Sequence, residues 1–173
     1  YLNVDMKEID RLIFTGTKNM ASLHPGALKE DTVTDFYAEK VGNAHLFDLA
    51  SWHLGSSDYI ADTIRLEKMF ACGRVLDFGG GIGTHSIAAA ALSKVDHVFF
   101  VDLNPFNRDF VRERAKKLGI SELISVHKDL GSVGAVEFDT VICFDVLEHL
   151  SNPSGQLLDF KKIHINFYII LTF

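Results

Sequence analysis

The chain has 173 residues, 47% of them hydrophobic, which is enough for a single domain with a substantial core. Its 17 basic and 23 acidic residues are interspersed and leave a net charge of −6, so there is no broad electrostatic footprint for nucleic acid or an anionic membrane, and neither partner is expected. Cys72 and Cys143 stand far apart without metal-type spacing, which argues against a metal site or a disulfide framework and suits a reducing cytoplasm. The longest apolar run, residues 165–173, is too short to span a bilayer, and Tyr1 in first place points to a processed or trimmed chain.

In chain order, the first seventy residues contain no strand-like run and read as helical. Phe36, Tyr37, Phe47 and Trp52 cluster with His45 and His53, with His24 further upstream, and the expectation is that the cluster packs a helical layer against the downstream sheet. Their alternative role is to line a ligand pocket beneath that layer. Tyr59, Ile60, Thr63, Ile64, Glu67 and Met69 recur at helical spacing after Ser57, which is suited to cap the helix. From residue 74 onward, short apolar runs alternate with helix-like segments, the pattern of βαβ units feeding a parallel sheet. Strands are predicted over 74–78, 97–101, 123–127, 138–144 and 166–172, and helices over 83–92, 105–118 and 148–162. Pro105 suits a first helical turn and Gly119 a helix exit. The fold class expected is α/β, a doubly wound and mainly parallel sheet over 72–173, with a helical lid or acceptor-side segment over 1–71.

The stretch "VLDFGGGIGTHS", residues 75–86, places a glycine-rich turn between the first strand and a helix, so free backbone N–H groups gather at the carboxyl edge of the sheet. A nucleoside-triphosphate loop needs a Gly-Lys pair that the stretch lacks. A dinucleotide fingerprint fits poorly, because neither glycine register ends in a third glycine at the sixth place. Asp77, two positions before Gly79, would repel a pyrophosphate and welcome an ammonium group. The arrangement Asp77, Gly79, Gly81 and Gly83 therefore suits the methionine end of S-adenosylmethionine. Asp102 ends the second predicted strand and is placed to accept from ribose hydroxyls. Asp129 follows the third and is placed to accept from the adenine amino group, with Leu103 and Leu130 covering the ring faces.

As an ordered set, "VLDFGGGIGTHS", "FFVDLNP", "VHKDL" and "FDTVICFDVLEHL" resemble the motifs of the class I S-adenosylmethionine-dependent methyltransferases, over about residues 74–153. The resemblance implies a Rossmann-like seven-stranded sheet, S-adenosylmethionine as cofactor, S-adenosylhomocysteine as product, and Phe144 and Asp145 facing the reacting methyl. "DVLEHL" is similar to the branch acting on small molecules, and the Asn/Asp-Pro-Pro-Tyr/Phe signature of nucleic-acid amino-methylating members is absent. For a hydroxyl acceptor a base is needed, and His149 beside Glu148 is the first candidate; His85 is expected to be structural or to flank the cofactor. Glu148 and His149 alone make no metal site. The chain departs from the family at its end, where "DFKKIHINFYIILTF" lacks the usual Lys-Pro-Gly-Gly turn and stops short of the last two strands. The fifth strand would then be an apolar edge inviting a second copy. Two alternatives to an enzyme acting on a small molecule remain: a protein that keeps the cofactor site without catalysis, and a nicotinamide-dependent oxidoreductase.

Overall fold

A computed structural model of the chain describes residues 5–8, 10–11, 14–15 and 44–172. The ring candidates His24, Phe36 and Tyr37 lie outside the described residues. Directly before the sheet the described residues form two helices, α1 (Ala44–Gly55) and α2 (Ser57–Phe70). The rest runs β1 (Gly73–Phe78), α3 (Thr84–Ala90), β2 (Val95–Val101), α4 (Pro105–Leu118), β3 (Ile124–His127), α5 (Leu130–Val133), β4 (Phe138–Cys143), α6 (Pro153–Ile163) and β5 (His164–Leu171).

All five strands are parallel and stand in the order β3-β2-β1-β4-β5. This is the doubly wound α/β architecture expected from the alternation of apolar runs and helices. The period of two along each strand explains the layering. Val75, Val98, Phe100 and Ile142 point to one face, where they pack with Ala89 of α3 and with Val111 and Ala115 of α4. Leu76, Val101, Val141 and Cys143 point to the other, where Phe160 of α6 covers them. Thr140, fully buried in β4, accepts from the Cys72 N–H and donates to the Cys72 carbonyl, tying the entry to β1 against the neighbouring strand.

Helix punctuation follows local chemistry. Asn104 caps α4 by accepting from the Phe106 N–H at 2.9 Å, Pro105 fills the first helical position, and Gly119 ends the helix in the left-handed region. The cap of α2 differs from the expectation: Ser56, not Ser57, occupies the capping position, and its side chain makes no cap hydrogen bond. The helix expected over 148–162 is split, because Leu147–His149 forms a tight three-residue turn and Pro153 opens α6.

Candidate functional site

The strand order reverses between β1 and β4, since β2 and β3 lie on one side of β1 and β5 on the far side of β4. Loops leaving the carboxyl ends of such strands diverge and open a crevice, where ligands of open α/β sheets bind. The glycine loop leaves β1 here. Gly79, Gly81 and Gly83 have φ of +73°, +56° and +74°, a region that side chains with a Cβ avoid. The groups that approach these glycines are largely the protein's own. A Cβ on Gly79 would stand 2.5 Å from Val146, one on Gly80 2.6 Å from the Asp77 carboxylate, and one on Gly83 2.6 Å from Val111. At Gly81, among the described residues, a Cβ would meet only Leu49 of α1, at 3.3 Å.

Two of the strand-end acids close around this loop. Asp77, 2% exposed, lies beneath Gly80 and accepts from the Ser86 hydroxyl; burial pushes its pKa up. Asp102, 9% exposed, follows β2 and reaches back to the loop: one carboxylate oxygen accepts from the Gly81 N–H at 2.9 Å and the other from the Asn104 N–H at 2.8 Å. The Asn107 side-chain amide lies 3.3 Å from both oxygens. Burial is the main influence and pushes Asp102 up to about 6, against the lowering effect of these donors and of Arg108. Arg108 itself donates to the carbonyls of Asp102 and Leu103, at 2.7 and 2.8 Å, which fixes the turn after β2. Asp129 follows β3 and caps the short α5, accepting from the Ser132 N–H at 2.8 Å in a reciprocal capping box. Leu103 and Leu130 beside these two acids are half-buried.

Phe144 and Asp145 lie just beyond β4, which ends at Cys143. Phe144 is buried with its ring edge against His85, the centroids 4.6 Å apart. Asp145 holds φ of +52°, a left-handed conformation uncommon for a residue other than glycine. Its partners fix that geometry: the Tyr59 hydroxyl donates to its carboxylate at 3.0 Å, and its own N–H donates to the Thr172 hydroxyl at 3.3 Å. Tyr59 also pairs with Thr172, and burial leads in pushing its pKa up to about 12. Glu148 and His149 are solvent-exposed on the tight turn that comes next.

The structure gives partners to residues that the sequence marked only as a helical stripe or an aromatic cluster. Glu67 of α2, 1% exposed, pairs through one carboxylate oxygen with Nδ1 of His85, while its other oxygen has no partner among the described residues. Burial pushes the Glu67 pKa up. His53 of α1 bonds the Thr84 hydroxyl at 3.1 Å and stands 6.3 Å, ring to ring, from His85; burial holds its pKa down at about 4. Trp52 meets both His53 and Tyr59 edge-on. Tyr59, Thr63 and Glu67, spaced by four, form one stripe of α2, and that polar stripe is the sequence signal for the contact with the rim.

A shallow depression of about 150 Å³ lined by Arg112, Ala115, Ser121, Ile124 and Val126 lies near the amino end of β3, away from this crevice. Among the described residues, no group of three or more His, Cys, Asp or Glu side chains could hold a metal ion, and no helix is long and apolar enough to cross a membrane.

Residues 75–160 match a family described as "Methyltransferase domain". The fold is similar to the N-terminal domain of EvdMO1, determined in the presence of S-adenosylhomocysteine and D-fucose, with a TM-score of 0.54, 19% identity, and 64% of this chain and 49% of that chain covered. It is similar to a SAM-dependent methyltransferase from Thiobacillus denitrificans in complex with S-adenosyl-L-homocysteine, with a TM-score of 0.53, 20% identity and coverages of 66% and 47%. The [4+2]-cyclase SpnF aligns with a TM-score of 0.53, 18% identity and coverages of 64% and 42%. The chain thus spans less than half the length of each of these structures. No curated protein matches the chain.

Proposed function

We propose that the chain, whose residues 75–160 match a methyltransferase domain, is a class I S-adenosylmethionine-dependent methyltransferase that binds S-adenosylmethionine along the carboxyl rim of β1, β2 and β3 and passes the methyl group to a small molecule. The observation that carries this reading is the rim's charge. Asp77 and Asp102 are both buried around one glycine loop, and burial raises both pKa values, so their ionised forms lack full compensation. A cofactor bearing an ammonium and a sulfonium supplies that compensation; a pyrophosphate would add charge of the same sign.

In this reading Asp77 takes the ammonium of the amino-acid end, which lies against the loop of Gly79, Gly81 and Gly83, Asp102 accepts from the ribose, and Asp129 accepts from the adenine amino group between Leu103 and Leu130. Phe144 and Asp145 border the reacting methyl. When bound, S-adenosylmethionine supplies a methyl carbon whose bond to sulfur breaks as the acceptor's lone pair forms the new bond, leaving S-adenosylhomocysteine. The protein's part is alignment and exclusion of water, which contributes up to ~7–11 kcal/mol in well-oriented reactions. The rings of Trp52, His53, Tyr59 and Phe144 supply an apolar border on the side of the helical layer. His149, exposed on the turn beside Glu148, takes the proton from a hydroxyl acceptor.

Calorimetric titration of the chain with S-adenosylhomocysteine, with NAD as control, tests the reading. Saturable binding of the former alone is expected; binding of NAD alone would replace it with a nicotinamide site. A cofactor site retained without methyl transfer is the second reading, favoured by the similarity in fold to a protein named as a [4+2]-cyclase. Formation of a methylated product from any acceptor dismisses it.

A further inference from the structure

Asp102 does two things at once in this fold. Its carboxylate follows β2, where the cofactor reading places the ribose, yet one of its oxygens is bonded to the N–H of Gly81 in the loop assigned to the methionine end. The short bonds from Gly81 and Asn104 use one lone pair on each oxygen, and the Asn107 amide spans the pair at the longer distance of 3.3 Å to both. A carboxylate has about four acceptor sites; Gly81 and Asn104 take one on each oxygen and the Asn107 amide is shared between the two, so the carboxylate retains capacity for one ribose hydroxyl. Asn107 is 2% exposed in the first turn of α4 and its amide oxygen has no partner among the described residues. Burying an amide with one end unsatisfied is costly, and the end that is satisfied points at Asp102.

We propose that Asn107 is a positioning residue for the Asp102 carboxylate, and that this carboxylate couples the two ends of the cofactor site by holding Gly81 while it accepts from the ribose; this rests on the cofactor reading above. A carboxylate free to rotate would lose the Gly81 bond whenever it turned to the ribose. Held from three directions, it presents its remaining acceptor site without reorganisation and keeps the loop in its binding conformation. Because the ionised form is the one with acceptor capacity to spare for the ribose, affinity should fall as pH drops through about 6, where burial has pushed Asp102 up. The charged or titratable groups on the elements around it are Asp77 on β1, Arg108 on α4, and His127 and Asp129 at the end of β3.

The test is calorimetric titration of the full chain with S-adenosylhomocysteine, from about pH 5 to about pH 8, for the wild type, Asn107→Leu and Asn107→Ala. The wild type is expected to bind more weakly below the Asp102 midpoint. Removing a donor to the ionised form raises that midpoint, so in either variant the loss should begin at higher pH, with affinity near neutrality reduced about tenfold. A pH dependence set by His127 or Asp129 would not move with Asn107. Folded variants with wild-type affinity and an unmoved midpoint would overturn the proposal, as would wild-type affinity that is flat across the range, a result needing no variant. A wild type that binds no S-adenosylhomocysteine at any pH would overturn the cofactor reading itself.

Discussion

The carboxyl rim and the helical layer bury titratable groups of opposite kind. At the rim, burial raises Asp77 and holds Asp102 at about 6; in the layer, burial lowers His45 and His53 to about 4. Asp102 therefore contributes stability that is full below its usual 3.8 and lost as pH rises through about 6. The two histidines contribute stability that is full above their usual 6.5 and lost as pH falls through about 4. The same acidification that tightens the rim thus loosens the layer. The rim gives up stability at neutral pH by burying its acids, whereas the layer holds its histidines neutral, as packing groups.

The largest expected effect is on binding. Asp102→Ala removes the proposed ribose acceptor and the Gly81 bond together, at ~1.5–3 kcal/mol for each charge-assisted bond lost, and is expected to weaken S-adenosylhomocysteine by one to a few decades in a calorimetric titration. A near-normal affinity would place the ribose elsewhere. Next is the glycine loop, where two like substitutions should separate folding from binding. Gly83→Ala forces a Cβ against Val111 at a φ of +74° and should cost on the order of 3 kcal/mol in thermal unfolding. Gly81→Ala meets Leu49 at the looser distance of 3.3 Å, so it should cost about 1 kcal/mol of stability while still impairing cofactor binding.

At the seam between the regions, Glu67→Ala leaves His85 without its buried partner and should destabilise the fold by ~1–3 kcal/mol, with a smaller change in cofactor affinity. Equal loss of both would make the seam part of the cofactor site. Hydrogen exchange tests the opposed titrations directly: on lowering the pH from about 6.5 to about 4, protection factors should fall in α1, around His45 and His53, and rise at the ends of β1 and β2. The smallest effect is that of Tyr59→Phe, which removes the hydroxyl holding Asp145 and should cost about 1 kcal/mol in denaturant unfolding.

The rim was legible because its chemistry is contiguous. The residue spacing within "VLDFGGGIGTHS" already implies a strand, a turn rich in positive φ and a helix, and each later acid follows its own strand. What remained hidden was the use made of those residues. The glycines suggest a ligand's close approach, but at Gly79 and Gly83 the approaching atoms belong to Val146 and Val111, which are distant in sequence. The Glu67–His85 pair spans 18 residues, and Tyr59 meets Asp145 across 86. Spacing shows Tyr59, Thr63 and Glu67 on one stripe of α2 but not what that stripe faces.

By itself, the sequence determined the parallel α/β order, the helix ends at Pro105 and Gly119, and the three acids at successive strand ends, because these depend on local backbone preference and on the alternation of apolar residues. Only the tertiary structure decided that Asp102 turns back onto Gly81, that Asn107 steadies it, and that the helical layer is fastened to the rim through Glu67 and Tyr59. Those contacts join segments that the chain keeps apart, and they exist only once the two faces of the sheet have been buried.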